Sequence, residues 1–161
     1  MTTDHRGEKM RDGHKTVAMG EREYRWLEQG LRGLGFFAKL GLRRLAGVLP
    51  YMTLAEWPAG HLVCREGEPG DAFYLIYRGR VSVLKRGWDK PVAVLKDGQF
   101  FGEMALLFRQ PRTATVRTLA RTQLFVLSAR DFDGMLRKNP PVARRIRAVA
   151  QARRLELACM T

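Results

Sequence analysis

The chain has 161 residues, 45% of them apolar, and a formal net charge of +13 at neutral pH. That length encloses a single core and leaves no room for a second full domain, so any output is expected from this domain or from a partner. No apolar stretch approaches the length of a bilayer span, and the opening MTTDHRGEKMRDGHK lacks the apolar centre of a secretory signal, so a cytoplasmic location is expected.

In chain order, residues 1–19 are polar, of mixed charge and aperiodic, which predicts a flexible arm. A domain over 20–161 then opens with a helical lead-in over 20–50. Tyr24, Leu27, Leu31 and Leu34 keep helical spacing until Gly35, and Leu42, Leu45 and Leu49 begin a shorter pattern that Pro50 closes. From Thr53 to Leu127 the texture changes to short segments rich in Val, Leu, Tyr and Phe. Turn signals at Pro58-Ala59-Gly60, Glu68-Pro69-Gly70-Asp71, Gly87 and Asp97-Gly98 separate them and predict an antiparallel barrel or sandwich over 53–127. Helices are expected over 129–158: one from Ala129 to Lys138 with Ser128 as N-cap, and another opened by Pro140 and Pro141. In that last helix Val142, Ile146, Val149, Ala150 and Leu157 share a face, while Arg144, Arg145, Arg147 and Arg154 point elsewhere. Arg153 falls within the apolar face, where an unpaired charge is costly. It either snorkels to the rim or reaches a ligand.

The run Gly98–Val116, GQFFGEMALLFRQPRTATV, carries the most chemistry. Gly102 lets the chain turn sharply out of Phe100 and Phe101. The EMALLF stretch after it suits a short helix whose first amides are unpaired donors and attract an anion. Arg112, just past Pro111, offers a planar two-pronged donor to the same anion. Glu103 only accepts hydrogen bonds when ionised, so its natural partner on such a ligand is a hydroxyl.

FGEMAL followed by PRTATV resembles the phosphate-binding cassette of cyclic nucleotide-binding domains, the family of catabolite-activator sensors, kinase regulatory subunits and nucleotide-gated channels. REGEPGDAFYLIYRGRVSVL, residues 65–84, resembles the strand, glycine turn and strand that precede that cassette, and the likeness covers roughly residues 30–155. The resemblance implies an α+β fold: an antiparallel β-roll of jelly-roll topology, flanked by N-terminal helices and a C-terminal lid helix. It implies a ligand, cAMP or cGMP, whose phosphate meets Gly102, Met104, Ala105 and Arg112, and whose ribose 2'-hydroxyl meets Glu103. Thr113 occupies a position where the family often places a hydroxyl against phosphate and sometimes guanine, so the base is left open. Val83, Ala93 and Arg153 are the candidates for the base, with the last helix acting as a lid. No cofactor beyond the nucleotide is expected.

Function classes divide accordingly. The leading expectation is a stand-alone sensor that signals by helix rearrangement to an effector protein; homodimerisation through the helices stays open. The alternative is a basic interaction module of the same fold, binding nucleic acid, an acidic protein or a cyclic dinucleotide. From Arg109 onward twelve basic residues face three acidic ones, a local +9 that favours anionic partners without choosing among them. Nucleic acid is disfavoured because no aromatic residue follows Phe132 to interleave with those arginines. An enzyme is not expected. The only histidines are His5, His14 and His61, too few for a metal-dependent phosphodiesterase, and there is no GxSxG or P-loop. Cys64 and Cys159 sit in no metal-binding or redox spacing.

Overall fold

The computed structural model describes residues 14–33, 47–102 and 110–138, together with positions 140, 141, 143, 144, 147, 148 and 151, which are helical. Nine strands occur among these residues: β1 (Lys15–Val17), β2 (Thr53–Trp57), β3 (Leu62–Cys64), β4 (Ala72–Arg78), β5 (Arg80–Leu84), β6 (Ala93–Lys96), β7 (Phe100–Phe101), β8 (Thr115–Thr118) and β9 (Thr122–Ser128). They form two antiparallel sheets, one ordered β1-β2-β9-β4-β7 and the other β3-β8-β5-β6. This is the β-roll expected from the sequence, with helices α1 (Glu21–Gly33) and α2 (Ala129–Lys138) beside it.

The run AFYLIY in β4 is apolar at every position because the larger sheet is covered on both faces. Phe73, Leu75 and Tyr77 point to the helices and pack with Leu27 and Leu31 of α1 and Phe132 and Met135 of α2. Ala72, Tyr74 and Ile76 point to the other sheet and pack with Val63, Val81 and Val116. Leu27 and Leu31 are fully buried, each worth about 1.5–3 kcal/mol of transfer free energy. Tyr24, assigned to the same helical face, is 42% exposed at the rim, and Leu34 lies outside the described residues.

The expected flexible arm over 1–19 needs correction at its C-terminal end. Residues 15–17 form β1, an edge strand paired to β2 with Lys15 opposite Glu56, Thr16 opposite Ala55 and Val17 opposite Leu54. Three side-chain interactions fix it despite its polar composition. Lys15 Nζ sits 3.3 Å from Glu56 Oε2, Val17 packs on the helix-side core, and neighbouring His14 stacks on Trp57 at 4.7 Å between ring centroids. Residues 1–13 lie outside the described residues.

At the other end α2 begins where expected. Ser128 Oγ accepts a hydrogen bond from the Asp131 amide at 3.1 Å, and the Ala129 amide donates to the Asp71 carbonyl at 2.8 Å.

Candidate functional site

The site is built where β7 ends and the chain returns toward β8. Phe101 pairs with Tyr74 across the sheet and stacks on it at 4.9 Å, which fixes the point of departure. Gly102 then leaves the strand with φ +86°, a conformation open to glycine and costly for other residues. Space enforces the same choice. A Cβ there would lie 2.6 Å from Arg112 Nη1 and 2.8 Å from the Ala72 carbonyl oxygen.

The returning segment is clamped onto the turn that precedes β4. Pro111 bridges Pro69, the Arg112 amide donates to the Glu68 carbonyl at 2.8 Å, and the Gly67 amide donates to the Arg112 carbonyl at 2.9 Å. The turn predicted at Glu68-Pro69-Gly70-Asp71 therefore also anchors the arginine.

The Arg112 side chain is buried, 6% exposed. Its Nη2 donates to the Ala72 carbonyl at 2.7 Å and to Asp71 Oδ1 at 3.2 Å, and its guanidinium carbon lies 5.6 Å from the Tyr74 ring centroid. Nε is buried and has no hydrogen-bond partner among the described residues. Among the described residues this guanidinium has Asp71, 59% exposed, as its carboxylate partner and an unpartnered Nε, an arrangement that chemically suits an anion.

Of the residues expected at the site, Gly102 and Arg112 are brought into contact although ten positions separate them. Thr113, next to Arg112, is exposed. Val83 and Ala93 face each other on β5 and β6, with Val83 also opposite Val116. Val83 packs half-buried against the inter-sheet core, while Ala93 is exposed. Glu103, Met104, Ala105 and Arg153 lie outside the described residues. Asp71, the Ala72 carbonyl and Tyr74 were not singled out from the sequence. Asp71 belongs to the glycine turn at residues 68–71, but nothing local in the sequence signals that its carboxylate meets an arginine 41 positions away.

Among the described residues no three His, Cys, Asp or Glu side chains gather to hold a metal, and no helix is long and apolar enough to cross a membrane.

Two antiparallel sheets flanked by helices, with a buried arginine set against the glycine that ends a strand, define the class of fold as an antiparallel β-roll. A family model described as the cyclic nucleotide-binding domain matches residues 54–139, and the chain belongs to that family. It is 41% identical over 118 residues to a cyclic nucleotide-gated potassium channel of Rhizobium etli, covering 73% of this chain and 32% of the channel. It is 39% identical over 92 residues to a cAMP-dependent protein kinase regulatory subunit of Pyricularia oryzae, covering 57% of this chain and 24% of that protein. The chain spans about a third of the length of the first curated relatives it matches, 32% and 38%. Among solved structures it is similar to the N-terminal domain of a transcriptional regulator from Streptomyces coelicolor A3(2), with a TM-score of 0.69 and 30% identity over 80% of this chain and 92% of that one. It is also similar to the regulatory domain of Toxoplasma gondii PKA with cAMP, with a TM-score of 0.67 and 30% identity over 73% of this chain and 46% of that one.

Proposed function

We propose that this chain is a cytoplasmic sensor that binds cAMP or cGMP and passes the signal to an effector protein, with a regulatory rather than a catalytic role. The observation that carries the reading is the buried Arg112 guanidinium, packed against Gly102, whose Nε has no partner among the described residues. A cyclic phosphodiester would take that donor, with the amides of Gly102, Met104 and Ala105 completing its shell and Thr113 adding a hydroxyl. Glu103 would accept from the ribose 2'-hydroxyl. Val83 and Ala93 would line the base, and Arg153 would reach it from the last helix. Family membership and the ligand named for the Toxoplasma structure support this assignment.

A route to an output starts at Asp71. Its carboxylate holds Arg112 while its carbonyl accepts the amide of Ala129, the first residue of α2. An anion that draws Arg112 away from Asp71 acts on the residue that anchors the start of α2. Ligand shifts α2 only to the extent that it binds one arrangement better than another.

Isothermal titration with cAMP, cGMP and 5'-AMP tests the reading. Saturable binding of one cyclic nucleotide, with 5'-AMP much weaker, is expected. Arg112→Ala should weaken it by about a hundredfold, the loss of two charge-assisted hydrogen bonds, and Arg112→Lys by less. Absence of binding by folded, nucleotide-free protein would overturn the proposal.

A further inference from the structure

Besides Val83 and Ala93, which the proposed nucleotide site uses, the β5–β6 hairpin carries exposed side chains to which that site gives no role. Three of the five large apolar side chains that the described residues leave exposed lie within seven positions of it: Trp88 at 68%, Val92 at 43% and Val94 at 52%. Lys85, Arg86 and Lys90 flank Trp88 in sequence, all exposed, with Asp89 the one acid in that run.

The hairpin is held in place from below. Val83 and Leu95 pack into the inter-sheet core, the Arg86 amide donates to Glu66 Oε2 at 2.9 Å, and the Trp88 amide donates to the Lys85 carbonyl at 3.2 Å. Strand alternation then turns Val94 to the outer face of the smaller sheet, in one row with Ser82 and Arg117. The result is an anchored hairpin whose connecting loop exposes an indole and a run of cations, with exposed valines at the start of the strand that follows.

We infer that this hairpin docks the chain peripherally on an anionic lipid bilayer. Other polyanions use only part of the surface. A nucleic acid would stack on Trp88 and pair with the cations, but would leave Val92 and Val94 facing water. An acidic peptide added to the edge strand β6 would cover the valines, but not the indole at the tip. A headgroup layer accepts all three: indole at the interface, aliphatic groups at the acyl boundary and cations on the phosphates. The net charge of +13 adds a long-range attraction that an extended charged plane exploits more fully than a small partner.

Flotation of the full chain with phosphatidylcholine vesicles, with and without added phosphatidylglycerol, tests the inference. Binding is expected only with phosphatidylglycerol and should fall as salt rises. Trp88→Ser should weaken it about tenfold, and Lys85→Glu with Arg86→Glu and Lys90→Glu by roughly a hundredfold or more. Circular dichroism melts identical to the parent would show that these surface variants remain folded. No flotation with anionic vesicles, or flotation that the folded variants leave undiminished, would overturn the inference. Retention by an oligothymidine or by a polyglutamate peptide, lost in Trp88→Ser and unaccompanied by flotation, would overturn it in favour of that partner.

Discussion

Arg112 is costly to bury and inexpensive to redirect. Among the described residues its guanidinium meets the Ala72 carbonyl, the exposed Asp71 carboxylate and the Tyr74 ring, so a better anion can compete for it. Gly102 keeps that arrangement possible by contributing neither a Cβ nor a preference for negative φ. Gly102→Ala should therefore cost about 1–3 kcal/mol in urea denaturation and also weaken cyclic nucleotide binding, because the methyl must displace either Arg112 or the β4 backbone. Equal affinity in parent and variant would show that Arg112 does not depend on this packing. The sequence singles out Gly102 and Arg112, and the structure sets the two against each other. Asp71 and Tyr74 are not legible in the sequence, since their roles arise when a sheet brings positions about forty apart in sequence together.

At the scale of elements, short capping and pairing contacts set the limits of the fold. The Ser128 cap satisfies one free amide at the start of α2, and Ser128→Ala should cost about 1 kcal/mol in a denaturant titration. This cap could be read in advance because Ser before a helical run has a local cause. Strand β1 could not, because three residues carry no usable periodicity and its partner Glu56 lies about forty positions away. Glu56 is buried and accepts from Arg121 Nη2 at 3.1 Å and Gln123 Nε2 at 3.1 Å, besides its ion pair with Lys15. The hydrogen bond from Arg121 is the largest influence and holds the Glu56 pKa below the usual glutamate value, with Gln123 and Lys15 adding to it and burial opposing it. A lowered folded-state pKa means the carboxylate stabilises the fold above the unfolded-state value, and that contribution is lost as pH falls through the folded one. Glu56→Gln should thus destabilise the protein by about 1–2 kcal/mol at neutral pH. The gap to the parent should shrink under acid, as followed by thermal melts across pH. A gap that stays constant into the acid range would mean that the ion pairs contribute nothing.

For the whole molecule, the larger sheet lies between two cores, so a change at Arg112 is met by packing on both sides of β4. Ligand binding should accordingly register as global stability. Nucleotide at a hundred times its Kd adds about 2.7 kcal/mol to a fold that alone binds it. For a chain of this size that raises Tm by about 5–10 °C. The charge of +13 supplies the competing explanation, because any anion relieves self-repulsion and lifts Tm somewhat. Thermal scans at matched ionic strength with 5'-AMP separate the two. A shift confined to cAMP or cGMP, absent in Arg112→Ala and intact in Trp88→Ser, locates the stabilisation at the cassette. An equal shift with 5'-AMP reduces it to charge screening.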